Sequence, residues 1–457
     1  MAVSAQAGTV GFGPQEAMGT RATEFYRHKA TMVDLSILDD TRLGVPEVGG
    51  RPVPTFPYKA GIMVAGGLTI QPRLENTLGW LLRGLMGGYT SDGIEDEDGV
   101  QALTALDGST ITDGSLVDPS EARFITMSVI LDEDLPSTPA ANVVITGDTV
   151  DYTYHLAGLS SGSHIFCTPD EIADVSQIVL PTASGSAMFG WTKDNDVDAN
   201  VKVTHEFTLL DSDPGYVPWM TFKKHIPRKE NASDTDLGEI YDDCKVLTAG
   251  FVFPNDAPIT MRLDALGRDF ELDHSPDAWV WENTFEDYQS IPVGCVAGGY
   301  IEIPDGTELP VVAANLAMGN APLDLRQERV FGDYRLEDVT VINRAMTFDI
   351  LVKWNDPDLY AQVLTGSTTG SSWIEDPFVS TLDLMILSTG DIPGVTPATP
   401  YSLRIQSPSV MLGQVGGITL AGNQAVMLRF QGTALDNDSY YAKFTLVNKH
   451  PFYGWPR

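Results

Sequence analysis

The chain has 457 residues, 43% of them hydrophobic, and carries 62 acidic against 28 basic side chains for a formal net charge of -34. That length admits two or three domains, and no apolar run approaches the roughly 18–20 residues a membrane-crossing helix needs. So negative a surface repels phosphates and argues against ordinary DNA or RNA binding; it leaves solubility, adaptation to a salty cytoplasm, or an acidic wall past which a polyanion slides.

In chain order, the opening "MAVSAQAGTVGFGPQEAMG" lacks a basic start followed by an apolar segment, so it does not read as a signal peptide. It reads as a flexible arm, and residues 1–58 are assigned to it. Its "GFG" has neither a third glycine nor a preceding strand, which removes it as a dinucleotide fingerprint. The stretch from Gly67 to Gly88, "GLTIQPRLENTLGWLLRGLMGG", reads as a short strand, a proline and a helix. Leu74, Leu78, Leu81, Leu82 and Leu85 recur at helical spacing, and Gly87 and Gly88 supply the left-handed stop.

Residues 91–200 contain further strand-like runs, "FITMSVIL", "ANVVIT", "VDYTYHLAG" and "SQIVLP", divided by turn residues. They suit a small all-β module or a long decorated loop. Within them "GLSSG" matches the pattern of a serine-hydrolase elbow at Ser160, but a strand-like "SHIFCTPD" follows where a helix is required. "DNDVDAN" begins like a calcium loop, yet Ala199 replaces the glycine and His205 the bidentate glutamate. A solvated acidic turn is the better reading there, and "IEDEDG" departs from the calcium pattern further.

Next comes the one basic cluster, "FKKHIPRKE", with Lys223, Lys224, Arg228 and Lys229. It is either a solvated loop or an electrostatic contact with an acidic face of another copy. Then follows the hairpin "AGFVFPNDAPITMRLDALGRD", whose apolar residues alternate with others around a "PNDAP" turn. Its pattern returns as "ITLAGNQAVMLRFQGTAL". Laid together without a gap, Phe251 meets Ile418, Phe253 Leu420, Ile259 Val426, Met261 Leu428 and Leu263 Phe430. These should face the core, while Thr260, Arg262, Met427 and Arg429 face outward.

Upstream of the second hairpin, "MTFDILVKWNDPDLYAQVLTG" repeats strand then helix: Met346, Phe348, Ile350 and Val352 alternate, Asn355 or Asp356 caps, Pro357 enters and Gly366 stops. Strand, helix and hairpin therefore occur twice in the same order. The first copy is longer by about 110 residues, which makes 91–200 an insertion. The chain divides into the arm, a first repeat from 59–90 and 201–275, the insertion, a second repeat from 276–448, and a tail, 449–457, bearing Phe452, Tyr453 and Trp455. Aromatics so close together dock on their own domain or on a neighbour.

Cys167, Cys244 and Cys295 are odd in number and lack CxxC spacing, so they read as free buried thiols. The histidines show no metal-ligand spacing and no Walker lysine motif occurs, so neither metal nor cofactor is expected. No nucleophile, base and orienter can be assembled from spacing, which makes an enzyme the least supported class.

The strand, the helix ending "LLRGLMG", the long excursion, the hairpin of the "AGFVFPNDAPITMRLDALGR" type and the late "KFTLVNKH" together resemble the tail tube proteins of tailed bacteriophages that carry two tube domains in one chain. The resemblance covers about two thirds of the chain and rests on pattern and order. It implies a mainly β fold: duplicated tail-tube-like β-sandwich or barrel domains, each with a short flanking helix, plus the inserted β module. It further implies trimeric pseudo-hexameric rings stacked into a virion tail tube, assembled in the host cytoplasm and meeting tape-measure and terminator proteins. DNA would pass through without specific binding. Asp256, Asp264 and Asp269 are then candidates for an acidic lumen or for ring-to-ring contact, and Arg262 and Arg429 for salt bridges between domains or subunits. A terminator, initiator or baseplate ring on the same fold is the alternative. A carbohydrate-binding β-sandwich using Trp191, Trp219, Trp279 or Trp281 is a further one, although core packing suits isolated tryptophans better.

Overall fold

A computed structural model describes residues 8–45, 56–91, 202–227, 236–283 and 288–450 apart from short breaks, along with Val48, Val53 and Tyr453 and, as backbone, strands between 110 and 193. The chain begins with β1 (Thr9–Pro14), β2 (Tyr26–His28), β3 (Ala30–Val33), β4 (Ser36–Leu43) and β5 (Pro57–Ile70), then α1 (Thr77–Met86) and β6 (Gly87–Ser91). There follow β7 (Thr110–Thr112), β8 (Ile125–Leu131), β9 (Ala141–Gly147), β10 (Asp151–Leu156), β11 (His164–Cys167), β12 (Val175–Val179) and β13 (Ala187–Lys193). The remainder comprises β14 (Val203–Leu209), β15 (Met220–Ile226), β16 (Leu237–Pro254), β17 (Thr260–Asp273), β18 (Tyr300–Glu302), β19 (Val311–Pro322), β20 (Val341–Lys353), α2 (Asp358–Thr365), β21 (Phe378–Asp391), β22 (Pro400–Gln414), β23 (Met427–Ala434) and β24 (Lys443–Asn448).

All strands outside 110–193 join one large antiparallel sheet around a main apolar core, with a smaller cluster at Leu266, Leu336 and Val339. Its spine runs β4, β5, β17, β16, β19, β20, β23, β22 and β21. A second connection runs from β22 through β24 and β14 to β6. The strands between 110 and 193 pair only among themselves, in sheets ordered β10-β9-β12-β7 and β11-β8-β13. β11 is the next described element after "GLSSG", a strand as its sequence suggests. The Asp194–Asn200 acidic turn lies outside the described residues.

The leucine pattern before Gly87 forms its helix slightly later than the spacing suggests. Leu74 sits in the preceding turn, and Leu78, Leu81, Leu82 and Leu85 are fully buried with every other residue of α1. Gly87, at φ +88°, ends it, and its N–H bonds the Arg83 carbonyl. Gly366, at φ +75°, ends α2 in the same way. No residue of α2 is buried. The difference is tertiary: α1 lies against β14 and β16 beneath the C-terminal segment, whereas α2 rests chiefly on β21 and β22 among the described elements.

The expectation of a flexible N-terminal arm is corrected from Thr9 onward. β1 pairs along β15 and β2, with Val10 and Phe12 in the core, and Leu35 is buried just before β4. Glycines at 11 and 13 hid this strand, since they weaken an alternation signal; here they admit close neighbours, a Cβ on Gly11 landing 2.1 Å from the Trp281 ring.

The first hairpin forms as its alternation specifies, with Phe251, Phe253, Ile259, Met261 and Leu263 buried and Thr260 and Arg262 half-exposed. In the second, Leu428 and Phe430 are buried and Met427 and Arg429 exposed, but β23 takes its partner from further upstream. That partner is β22, with Gln414 opposite Phe430. Ala249 stands opposite Leu263 in the first hairpin, so Gln414 rather than residue 416 is its counterpart. An ungapped comparison is therefore off by two residues, a slip that leaves every side chain on its own face. Leu420 lies outside the described residues.

Candidate assembly interface

β16 changes partners along one edge. Leu237 to Cys244 pair with β15, and Thr248 to Pro254 pair with β19, Thr248 opposite Gly319 and Pro254 opposite Ala313. On the core side Phe251 and Phe253 stack at 5.8 Å, and Ala314, Leu316 and Met318 lie buried beside them. The buried Asn320 amide strengthens the joint: its Nδ2 donates to the Leu85 carbonyl at 2.9 Å and to that of Val246 at 3.1 Å. The end of α1, β16 and β19 thereby share one polar group, and such a buried contact is costly to remove.

The opposite face of β16, β19, β20, β22, β23 and β17 forms a shallow depression lined by Gly250, Val252, Asn315, Ala317, Thr347, Gly413 and Gln431, with Arg262 and Asp349 as its charged groups. Arg262 Nη2 donates to both oxygens of Asp34 at 2.9 Å, and its Nε to Asp264 at 2.9 Å. Partial burial works against the charge on Asp34, yet Arg262 and the Gly67 N–H hold its carboxyl below the usual range. Arg429 Nε donates to Asp349 at 2.8 and 2.9 Å, and this guanidinium, with help from Gln431, likewise lowers the Asp349 carboxyl. Both sequence-matched arginines are thus engaged by carboxylates of their own chain. Asp34 and Asp349 could not be found from the sequence, because neither has a fixed spacing from its arginine and only strand pairing brings them together.

The three aspartates singled out as lumen candidates separate. Asp264 accepts from Arg262 and, at 3.0 Å, from the Thr248 hydroxyl, while Asp256 is exposed at the tip of the β16–β17 turn. Asp269 faces elsewhere and meets Arg335 at 3.2 Å. Arg335 belongs to the 323–340 connection, which packs on β5, β16 and β17 through Leu336 and Val339. Lys245 anchors the same connection by donating to Asp338 at 3.1 Å and to the Val339 carbonyl at 2.9 Å.

The basic cluster does not present its first two lysines outward. Lys224 pairs with Glu239 and donates to the Leu35 carbonyl at 3.1 Å. Lys223 is 8% exposed, with Nζ 3.3 Å from the Phe25 ring centre and 5.1 Å from that of Trp279. β15 sits between β1 and β16, and that position turns the side chain inward. Burial, with Arg21 nearby, pushes its ammonium down from 10.5 to about 8. The unfolded chain then holds more protons than the native one between those values, so this group's contribution rises with pH across that window. Lys223→Met should be more stable than the parent at pH 7 by at most about 3 kcal/mol, the gap closing by about pH 10.5. Urea unfolding at both pH values checks this, and a gap that stays constant would refute the burial account. Arg228 and Lys229 lie outside the described residues.

The tail docks on its own chain through Tyr453, which is fully buried. Phe452 and Trp455 lie outside the described residues. Of the tryptophans weighed as sugar platforms, Trp219 covers Lys245 at 4.1 Å, and Trp279 and Trp281 pack edge to face at 6.0 Å. The side chain of Trp191 lies outside the described residues. Cys244 is a free buried thiol, raised by burial and by the Asp242 and Asp243 carboxylates.

One strand edge is conspicuous. β4 pairs with β5 alone among the described residues. Leu38 and Leu43 on β4, Val45 beyond it, Phe56 just before β5 and Tyr58 at its start are all exposed. An unpaired edge carrying apolar side chains is a template for a further strand. No family model matches the chain, and no curated protein matches it.

Proposed function

We propose that this chain assembles into trimeric rings that stack as a hollow tube for DNA, the role of the phage tail tube proteins it resembles. The observation that carries the reading is the β16–β19 joint, considered beside the open edge of β4. The order β4, β5, α1, β15, β16, β17 recurs as β19, β20, α2, β21, β22, β23. The ladders recur too, β4 on β5 as β19 on β20 and β5 on β17 as β20 on β23, with Met261 opposite Ile70 and Leu428 opposite Val352. On this reading the chain is a tandem of two tube domains, and 110–193 is a β module inserted in the first.

β4 is then the counterpart of β19, yet β19 is covered by β16 and β4 has no such neighbour among the described residues. A second copy laying its later hairpin along β4 would repeat the internal joint head to tail. That contact is heterologous, and it closes a ring when the rotation per chain matches. α2, unburied here, gains a cover in the stack.

The depression becomes the bore wall. Its two charged groups are each neutralised within the chain, Arg262 by Asp34 and Asp349 by Arg429, and apolar side chains such as Val252 and Met411 share the lining. Phosphates bind by releasing counterions at unpaired Lys and Arg, so a neutral wall gives DNA no foothold. A lining built on Asp256, Asp264 and Asp269 is set aside, because these three do not share a face. Tape-measure and terminator proteins are the further partners on this reading.

Negative-stain microscopy and light scattering of concentrated protein test the proposal. Hollow rings or tubes with trimeric mass are expected, and a monodisperse monomer would overturn it. Arg262→Glu puts a third carboxylate beside Asp34 and Asp264 and should loosen the turn that leads into β4. We expect a folded chain that no longer forms rings; normal tubes from this variant would remove the arginine from the assembly.

A further inference from the structure

Three metal-binding side chains converge at the end of the sheet opposite the hairpin tips. His225 stands near the end of β15, Asp236 immediately before β16, and Asp277 in a single 3-10 turn, Pro276–Ala278, that follows β17. His225 Nε2 lies 2.7 Å from Asp236 Oδ2 and 3.7 Å from Asp277 Oδ1, and the three donor atoms fall within 4.8 Å of one another. We propose that this cluster is a divalent transition-metal site, with zinc as the natural occupant.

The geometry fits. Donors about 2.1 Å from a tetrahedral zinc stand about 3.4 Å apart, and the two spacings from the imidazole, 2.7 and 3.7 Å, bracket that value. One imidazole nitrogen and two carboxylate oxygens suit zinc or manganese better than the softer or harder cations. Two carboxylates cancel the charge of the ion, in a chain that is strongly acidic throughout. Asp277 is 76% exposed, which leaves an open side for water as a further ligand.

Two of the donors are also held before any ion arrives. His225 is fixed by the ladder, opposite Gly238 on β16 and Thr9 on β1. The turn bearing Asp277 is closed by Trp279 N–H donating to the Pro276 carbonyl at 3.0 Å, and the Trp279 indole N–H donates to Asp273 at 2.6 Å. That indole stands edge-on to the His225 ring at 6.3 Å, over Gly238, where a Cβ would come within 2.4 Å of it. Ligands on rigid supports lose little freedom on binding. The chain spacing gave no hint because each donor comes from a different strand end. A bound ion would tie the β15–β16 connection to the turn after β17.

The alternative is an ion-free cluster held by the His225–Asp236 hydrogen bond, and zinc titration separates the two. Protein stripped with EDTA and titrated with zinc chloride by calorimetry should bind one ion per chain and unfold at higher temperature when loaded. His225→Ala and the exposed Asp277→Asn should each weaken binding by at least about tenfold, with the circular dichroism of the parent retained. Absence of zinc binding by the parent would overturn the site. So would binding that both variants retain, or stability that follows pH and ignores zinc.

Discussion

Tyr453→Ala is expected to destabilise the fold by about 3–5 kcal/mol, the range for emptying a fully buried aromatic site. The ring fills a box made by α1, β6, β14 and the segment after β24. It packs edge-on to Trp80 at 5.5 Å and to His205 at 4.7 Å, and against His450 at 4.3 Å. It also occupies the space above Gly79 of α1, where even a Cβ would come within 2.1 Å. The polar groups interlock. Asn448 Nδ2 donates to the Tyr453 hydroxyl at 2.7 Å and to the Leu74 carbonyl at 2.8 Å, and the Tyr453 N–H donates to the Tyr89 hydroxyl at 3.1 Å. His205 joins Tyr89 to Asn448 through its two ring nitrogens, at 2.9 and 3.1 Å. Alanine would leave a cavity beside the buried Asn448 amide, which loses the hydroxyl as one of its two acceptors and keeps the Leu74 carbonyl. Tyr453→Phe keeps the ring and should cost only about 1–3 kcal/mol. Urea unfolding of both variants is the measurement, and a loss below about 1 kcal/mol for Tyr453→Ala would show that the tail does not close α1.

The second large effect is expected at Arg404. Asp383, on β21, is 3% exposed and accepts from Arg404 Nε at 2.9 Å, from Arg404 Nη2, and from Gln406 Nε2 at 3.1 Å. Arg404→Met strands that carboxylate with a single neutral donor. Breaking a buried pair costs about 3–5 kcal/mol; since the Arg404 side chain is 40% exposed and water can partly replace it, about 2–3 kcal/mol is expected. Asp383→Leu combined with Arg404→Met should recover most of the loss, because two apolar groups leave no charge unsolvated. A double variant as unstable as the single one would mean that the pair holds β21 to β22 by more than its charges.

Several elements could be read before any coordinates. Alternation at Phe251, Phe253, Met261 and Leu263 identified the core face of the first hairpin, and the same period did so at Leu428 and Phe430. Leucine spacing with Gly87, and Gly366 at the end of α2, located both helix stops. The strand-like run after "GLSSG" forms β11. These features are local: a two-residue period, a helical period and a left-handed stop are each set by neighbours in the chain.

The candidate interface was legible only as two matched arginines. Their acceptors, Asp34 and Asp349, lie on other strands, and the inward turn of Lys223 follows from β1 lying across β15. The sequence by itself determined which face of each strand meets the core and where each helix stops, since burial of apolar side chains and backbone sterics act within a few residues. Only the tertiary structure decided that β16 forks onto β19, that β22 pairs with β23, and that β4 has β5 as its one ladder partner among the described residues. The physical reason is that a strand's hydrogen-bonding edges carry the same N–H and C=O groups whatever its side chains. Alternation fixes the face, a shift of two residues preserves it, and the choice of neighbour falls to whichever distant strand closes the core.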